Sequence, residues 1–215
     1  MFVEKWMIVN PITLPPDMAI SAAAVEMASH RFRHIPVAEA TLTGKKLLGL
    51  VSKYDIARAF PPNFNPFSVE VSADSVPQPI STIMARNVIT VRPDCPVEEA
   101  ARILRERRID ALPVLRADRL VGIITESDIF DALIDMTGAN RGGIKMVVEA
   151  NTNEHPVVLV AQLSQQHHLR ILSFVSCDDN QLKGKDLLAF RFAARPAADF
   201  VQALCKLGFR ILTIG

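Results

Sequence analysis

The sequence predicts a mixed α and β protein, of the α+β or α/β class, in which a β-α-β-β-α unit occurs twice and a β-α-β-β-α-β unit follows. Three observations predict this fold. One stretch of the chain recurs at a spacing of 77 residues, apolar residues recur at the spacing of these strands and helices, and a glycine-rich segment precedes the last unit. With 215 residues, 49% of them hydrophobic, the chain is long enough to bury more than one core.

The repeat appears when the chain is compared with itself at a shift of 77 positions. The matched positions include Met7 and Met84, Thr13 and Thr90, Pro36 and Pro113 and, after a loop that is four residues longer in the first copy, residues 49–56 and 122–129. Two copies of one unit are expected to bury their apolar faces against each other. We therefore place the first copy at residues 1–60, a proline-rich connection at 61–79 and the second copy at 80–136.

Within each copy, the apolar pattern and the capping residue types predict the elements. In the first copy, strands are predicted at residues 12–14, 35–37 and 47–51, and helices at 18–32 and 52–59. In the second copy, strands are predicted at 88–91, 112–115 and 120–124, and helices at 97–107 and 125–134. The first helix of each copy has apolar residues at three-to-four spacing, and Asp17 and Ser52 are residue types that cap helix starts.

The C-terminal part of the chain has a different order of elements. Residues 137–143 are polar and rich in glycine, which is typical of a hinge. In the unit at 144–215, we predict strands at 144–150, 169–177, 187–193 and 209–214, helices at 156–167 and 196–207, and a turn at 178–180. This β-α-β-β-α-β order is the ferredoxin-like plan.

Charge and composition argue against several classes of function. The formal net charge of +1 gives no general attraction for nucleic acid or for an anionic membrane. No apolar run of about 20 residues and no signal-peptide pattern is found, and three widely spaced cysteines fit a reducing compartment, so we expect a cytoplasmic protein. Since neither a metal-ligand spacing nor a catalytic motif is visible, we expect neither a metal site nor an enzyme.

Two short motifs, Ser52-x-x-Asp55 and Thr125-x-x-Asp128, stand where an apolar strand leads into a helix. One interpretation is a pair of capping boxes, in which a hydroxyl and a carboxylate satisfy the free amides of the helix start. The other is a ligand site, in which the amides and the hydroxyl bind phosphate oxygens and the carboxylate accepts hydrogen bonds from ribose hydroxyls. The occurrence of the motif in both copies favours a ligand site.

With these motifs, the duplicated Thr13 and Thr90 and the two Pro-Val strands, residues 7–135 resemble a tandem pair of CBS domains, the regulatory modules named after cystathionine β-synthase. The resemblance implies two clefts between the copies, which bind AMP, ADP, ATP or S-adenosylmethionine in many such pairs. It also implies that the CBS pair has no catalytic activity.

The resemblance further implies a role for individual residues. Phosphate would be bound by Ser52 and Thr125, and ribose by Asp55 and Asp128. Thr13 and Thr90 would lie on the adenosine side of the clefts. Adenine would be held by two segments with the residues Phe32, Arg33, His34, Ile35 and Pro36 in the first copy and Ile109, Asp110, Ala111, Leu112 and Pro113 in the second.

The two copies differ in charge near the expected phosphate positions. The first copy has Arg33, His34 and Lys53 where the second copy has Asp110, Ala111 and Glu126. Because a carboxylate repels phosphate, we expect a phosphate-rich ligand to prefer a cleft lined by Lys53, Arg33 and His34. The alternative for Arg31, Arg33 and His34 is a solvated helix end that interacts with the helix dipole.

Residues 144–215 resemble an ACT domain, a small fold that often binds amino acids and dimerises. ACT domains that bind amino acids usually have a glycine after proline in the first strand-helix loop, but residues 153–157 here are Asn-Glu-His-Pro-Val. Without the glycine, a ligand loses a close approach to the backbone, so we expect dimerisation instead. A CBS pair followed by an ACT-like unit resembles the bacterial acetoin-utilisation accessory proteins.

We therefore predict a non-catalytic regulatory homodimer. An adenosine-containing ligand would bind between the CBS copies and change the state of the ACT-like unit or of a protein partner that the sequence does not identify. The alternative is a structural module whose repeats dimerise without a nucleotide.

Overall fold

The computed structural model describes residues 1–62, 64–68, 75–151, 155–178 and 185–215. The chain forms two compact units, Met1–Phe130 and Asp131–Gly215. Part of the predicted connection at 61–79, Asn153 and Glu154 of the predicted loop, and residues 179–180 of the predicted turn lie outside the described residues. No helix in the described parts of the chain is both long and apolar enough to cross a membrane.

The helices and hairpins of the N-terminal unit follow the predicted order of two similar copies. In the first copy they are β1 (Ile8–Val9), α1 (Ile20–Ser29), β2 (His34–Thr41), β3 (Gly44–Ser52) and α2 (Lys53–Arg58). In the second copy they are α3 (Val97–Arg107), β4 (Ala111–Arg116), β5 (Arg119–Thr125) and α4 (Glu126–Met136), which continues into the second unit. Short 3-10 helices at Val3–Lys5 and Ile80–Thr82 begin the two copies.

The first segment of each copy pairs with the sheet of the other copy. β1 of the first copy pairs antiparallel with β5, where Ile8 is opposite Ile123. In the second copy, the equivalent residue Ala85 forms an antiparallel bridge with Leu50 of β3. The repeat therefore extends to the N-terminal residues, and its two copies exchange their first segments.

Each copy has an apolar core that is completed by the start of the other copy. Ile80 and Met84 are buried in the core of the first copy, beside Leu14. Val3 is buried in the core of the second copy, and Met7 packs against that core. Neither core is complete without the other copy.

Glycine at two equivalent positions permits this exchange. A Cβ atom on Gly49 would lie 2.7 Å from the carbonyl oxygen of Ala85 and 2.7 Å from the sulfur of Met84. A Cβ atom on Gly122 would overlap the sulfur of Met7. Real Cβ atoms do not approach other atoms this closely. Close packing therefore explains why glycine faces methionine at the same position in both copies.

The strands predicted at 12–14 and 88–91 are each reduced to one bridged residue. Leu14 bridges Val37 in parallel, and Val91 bridges Val114 in the same way. The first segment is flanked by Pro11 and by residues 15–16, which are also prolines, and proline has no N–H to donate to a neighbouring strand. Each segment therefore contributes one bridged residue and no further strand pairing to the neighbouring hairpin.

The prediction that Asp17 caps the first helix is wrong. The N-cap residue of α1 is Ala19, which makes no side-chain capping bond. The amide of Ile20 instead donates to the backbone carbonyl of Gln78 at 2.9 Å, and that of Ser21 donates to the carbonyl of Val76 at 3.3 Å. The connection between the copies thus satisfies amides that a capping side chain would otherwise bind.

The C-terminal unit has the predicted β-α-β-β-α-β order. Its elements are β6 (Ile144–Asn151), α5 (Pro156–Gln166), β7 (Ile171–Asp178), β8 (Lys185–Phe192), α6 (Ala198–Lys206) and β9 (Arg210–Ile214). The strands form an antiparallel sheet in the order β7-β8-β6-β9, which is the ferredoxin-like arrangement. By this order, β7 and β9 are the edge strands of the sheet. Both helices supply buried residues to the core on one face of the sheet.

The segment predicted as a hinge, 137–143, is hydrogen-bonded within the C-terminal unit. The Ser173 hydroxyl donates to the carbonyl of Thr137 at 2.6 Å, and Arg191 Nη1 donates to the carbonyl of Gly142 at 3.2 Å. The division between the two units falls earlier, at Asp131 inside α4. A hinge role for 137–143 stays a prediction.

Candidate functional site

The two predicted hydroxyl-carboxylate pairs form at the starts of α2 and α4. Asp55 Oδ2 accepts hydrogen bonds from the Ser52 amide at 2.8 Å and the Ser52 hydroxyl at 2.6 Å, and Ser52 Oγ accepts from the Asp55 amide at 3.2 Å. Asp128 Oδ2 accepts from the Thr125 amide at 2.7 Å and the Thr125 hydroxyl at 2.8 Å. The bonds at Ser52 complete a capping box. They are fully explained by helix capping, so they do not by themselves indicate a ligand.

A small cavity of about 170 Å³ brings residues of both copies together. It is lined by Ile8, Pro11, Ile12, Arg31, Phe32, Arg33, His34, Pro36, Ile123 and Thr125. The segment at 31–36 comes from the first copy, and Thr125 ends β5 of the second copy. The cavity thus combines the predicted adenine segment of one copy with the predicted phosphate residue of the other.

The two copies are also connected by polar contacts beside this cavity. Arg33 Nη2 donates to the Ser127 hydroxyl at 2.9 Å. His34 Nε2 lies 3.8 Å from Asp110 Oδ2, and the His34 side chain is only 13% exposed. A basic segment of the first copy therefore faces hydroxyl and carboxylate groups of the second.

Burial lowers the pKa of His34 below its usual value. The carboxylate of Asp110 opposes this shift, the guanidinium of Arg33 adds to it, and the carboxylates of Asp55 and Glu126 also oppose it. The neutral imidazole is favoured because desolvation disfavours the charged form. A neutral His34 can both donate and accept a hydrogen bond within the cavity.

The cavity that Arg33 and His34 line does not include Lys53, so a common cleft of these three residues stays a prediction. The backbone amide of Lys53 does donate to the carbonyl of Arg33 at 2.9 Å, but its ammonium group lies 4.9 Å from the ring centre of Phe67. The side chains of Arg33 and His34 line the cavity with Thr125, and Lys53 does not. The prediction grouped the charges of one copy, whereas residues of both copies line this cavity.

The remaining predicted site residues lie in several environments. Ile35 and Leu112 are buried core residues, so only their backbones are available to a ligand. Thr90 lines a different cavity, of about 570 Å³, beside the ends of the two hairpins. Thr13 and Ile109 are half-buried, Ala111 and Pro113 are buried, and the Asp110 side chain is exposed.

Several residues of the cavity were not predicted from the sequence. Ile8 and Pro11 reach it because the first segment crosses to the other copy, which no local pattern indicates. Ser127, which accepts a hydrogen bond from Arg33 beside the cavity, was also missed, because the repeat matches it with Tyr54 and so gives no duplicated signal. Across the described residues, no group of three or more His, Cys, Asp or Glu side chains is arranged to hold a metal ion.

The family model described as CBS domain matches residues 3–62 and 80–135, which is more than half of the chain. These two ranges contain both hydroxyl-carboxylate pairs and all residues that line the 170 Å³ cavity.

Two solved structures show the same fold at 30% sequence identity. A putative acetoin utilization protein (AcuB) from Vibrio cholerae matches with a TM-score of 0.54, over 66% of this chain and 96% of that one. The CBS domain pair of protein MJ0100, solved with 5'-methylthioadenosine and S-adenosyl-L-methionine, matches with a TM-score of 0.51 over 62% of this chain and 95% of that one.

The curated relatives include enzymes that are longer than this chain. A homoserine O-acetyltransferase of Methanohalobium evestigatum is 33% identical over 60% of this chain and 23% of the enzyme. An inosine-5'-monophosphate dehydrogenase of Aquifex aeolicus is 25% identical over 99% of this chain and 43% of the enzyme. The chain thus spans less than half the length of either enzyme.

Proposed function

Because the chain belongs to the CBS domain family, we propose that it is a regulatory module that binds an adenosine-containing ligand between its two CBS copies. The candidate ligands are AMP, ADP, ATP and S-adenosylmethionine. The observation that carries this proposal is the cavity in which Phe32, Arg33 and His34 of the first copy meet Thr125 of the second. The solved pair of MJ0100, at 30% identity, holds two adenosine derivatives, which supports the ligand class.

The residues around the cavity provide the contacts that each part of such a ligand needs. Phe32 and Pro36 provide apolar surface for the adenine ring. Asp128, which is held by Thr125, can accept hydrogen bonds from ribose hydroxyls. Arg33 can donate to phosphate oxygens when it leaves Ser127.

The size of the cavity limits how the ligand is bound. Its volume of about 170 Å³ is below the roughly 300 to 1,000 Å³ that is usual for ligand pockets. The cavity can therefore enclose only part of a nucleotide. We assign it to the adenosine part and leave the phosphates at the exposed side, near Arg31 and Arg33.

A second cleft at the equivalent position would combine Ser52, Lys53 and Asp55 with the segment of Ile109, Asp110 and Pro113. In this cleft Asp110 takes the place of Arg33 and repels phosphate, whereas Lys53 takes the place of Glu126. Because the ammonium group of Lys53 lies over the Phe67 ring, we give Arg33 the greater weight. We propose that the two clefts are unequal and that the cleft at Thr125 binds phosphate-containing ligands more tightly.

Titration calorimetry of the full chain with AMP, ADP, ATP and S-adenosylmethionine tests this proposal. A ligand at about a hundred times its dissociation constant should add about 2.7 kcal/mol of stability, which is readily seen as a higher melting temperature. If none of the four binds or raises the melting temperature at millimolar concentration, the module has a structural role without a nucleotide.

We further propose that the C-terminal unit is ACT-like and that the chain is a homodimer. Two features support self-association. The side chains of Phe130, Leu133 and Ile134 on α4 are 63%, 53% and 37% exposed and share one helix face. In addition, β7 and β9 are edge strands that another copy can extend. The regulated partner would then sense a ligand-dependent change in this dimer.

A further inference from the structure

A cavity of about 330 Å³ lies within the C-terminal unit and is separate from the adenosine site. It is lined by Thr137, Ala139, Lys145, Val147, Ser173, Val175, Leu187, Ala189, Phe190 and Arg191. Most of these residues alternate with core residues such as Met146 and Leu188, so they lie on the sheet face opposite the helices. Its volume is within the range of small-molecule pockets.

The middle of this cavity is apolar. Val147 of β6 is opposite Ala189 of β8, which in turn is opposite Val175 of β7. Leu187 continues the apolar surface along β8. A ligand bound here needs an aliphatic part that covers these side chains.

One end of the cavity is cationic. Lys145 and Arg191 are directly opposite each other in the β6–β8 pair, and like charges in this position repel. Neither side chain has an ion-pair partner among the described residues. Arg191 Nε is buried and has no hydrogen-bond acceptor there. A buried donor without a partner is unusual in a folded protein, and an acceptor on a bound ligand would satisfy it.

The acidic group on the same face does not supply that anion. Glu149 is buried and forms ion pairs with Lys185 and, at 3.4 Å, with Arg210. The hydroxyl of Ser173 is also occupied, because it donates to the carbonyl of Thr137 at 2.6 Å. Arg191 Nη1 donates to the carbonyl of Gly142 at 3.2 Å, but no carboxylate among the described residues pairs with Lys145 or Arg191.

The chain before β6 closes this cationic end. Gly138 has a φ of +68°, and a Cβ atom there would lie 2.9 Å from the Ser173 hydroxyl oxygen. Glycine thus allows the segment with Thr137 and Ala139 to approach the sheet and form one wall of the cavity.

We propose that this cavity binds a small aliphatic monocarboxylate. The carboxylate accepts hydrogen bonds from Arg191 and Lys145, and the alkyl chain covers Val147, Val175 and Ala189. A planar carboxylate matches the guanidinium fork, and one negative charge relieves the repulsion between the two cations. The apolar lining disfavours phosphorylated ligands, which distinguishes this site from the adenosine site.

Calorimetric titration of the full chain with hexanoate tests the proposal, with 1-hexanol and hexylamine as probes of equal chain length. We expect hexanoate to bind with a dissociation constant on the order of 1 mM, and the alcohol and the amine to bind at least about tenfold more weakly. Arg191→Met should weaken hexanoate binding about tenfold or more, whereas the control Arg195→Met, at an exposed position of the same unit, should not change it.

A second variant tests the cavity without removing a charge. Ala189→Met places a longer side chain in the middle of the cavity and should block hexanoate, while circular dichroism shows that the fold is retained. Equal binding of hexanol and hexanoate, or unchanged binding in both Arg191→Met and Ala189→Met, would overturn the proposal. The proposal is also overturned if the parent chain does not bind hexanoate. If, in that case, light scattering shows that Ala189→Met dissociates a dimer, this sheet face is an interface between two copies.

Discussion

Met84 of the second copy lies against Gly49 of the first, with its sulfur 2.7 Å from the position that a Cβ atom on the glycine would take. Met7 has the same relationship to Gly122. These two contacts connect the copies at equivalent points, and they show that residues shared by the two copies maintain the contact between them.

Replacing Gly49 with alanine should destabilise the protein by about 1 to 3 kcal/mol, because the new methyl group meets the rigid backbone oxygen of Ala85. Gly122→Ala should cost less, since its nearest neighbour is the flexible side chain of Met7. Urea denaturation measures both. Gly215→Ala, with no atom near its Cβ position, is the control, and a larger effect at Gly122 than at Gly49 would contradict this packing account.

The order of the helices and of the longer strands could be predicted from the sequence because these elements have local signals. The helix Val97–Arg107 was predicted at its observed bounds, and Ser52 was correctly predicted to cap α2 through its bond with Asp55. The apolar period after Pro96 marks the first of these helices, and the capping residues mark the second, so both are visible in the local sequence.

The composition of the cleft could not be predicted in the same way. A repeat shows which residues are equivalent, but it does not show which copy provides each side of a cavity. The exchange of the first segments puts Ile8 beside Ile123, and the contact of Arg33 with Ser127 joins residues 94 positions apart. These are long-range contacts between residues without a shared local pattern.

His34 should make stability depend on pH. Its pKa is lowered in the folded state, so the unfolded chain binds the proton more readily. The contribution of His34 is therefore present above its unfolded pKa of about 6.5 and is lost as the pH falls below it. In thermal melts between pH 7.5 and 5, roughly the range in which histidine titrates, His34→Asn should reduce the loss of stability on acidification.

His168→Asn provides the control for this pH effect, because His168 is exposed. It should leave the pH dependence as in the parent chain. An equal slope in the parent and in His34→Asn would show that His34 makes no such contribution.

Arg33 should distinguish ligands with phosphate from those without. Arg33→Met removes a guanidinium but keeps much of the aliphatic stem, so ATP affinity should fall about tenfold or more. The affinity for S-adenosylmethionine, which has no phosphate, should change less. Arg105→Met on α3 is the control, and equal losses for both ligands would count against a phosphate contact.

Phe130 should contribute to self-association through α4. Phe130→Ser removes the most exposed apolar side chain of the α4 face and should shift the protein from twice the chain mass towards 23.7 kDa in light scattering at micromolar concentration. The control Leu42→Ser, at an exposed apolar residue on a hairpin end, should leave the mass in light scattering unchanged. If the parent chain is itself a monomer, the homodimer is refuted, and a dimer that withstands Phe130→Ser points to the sheet edges instead.

Calorimetric titrations of Asp128→Ala and Asp55→Ala show whether an adenosine ligand binds where residues 31–36 meet Thr125. Both changes remove an equivalent helix cap and should cost a similar amount of stability, about 1 kcal/mol. We predict that Asp128→Ala weakens the tighter binding event by about 1.5 to 3 kcal/mol and that Asp55→Ala leaves it nearly unchanged. Equal affinity in both variants and the parent, or a larger loss in Asp55→Ala, would contradict the assignment of the ligand to this cavity.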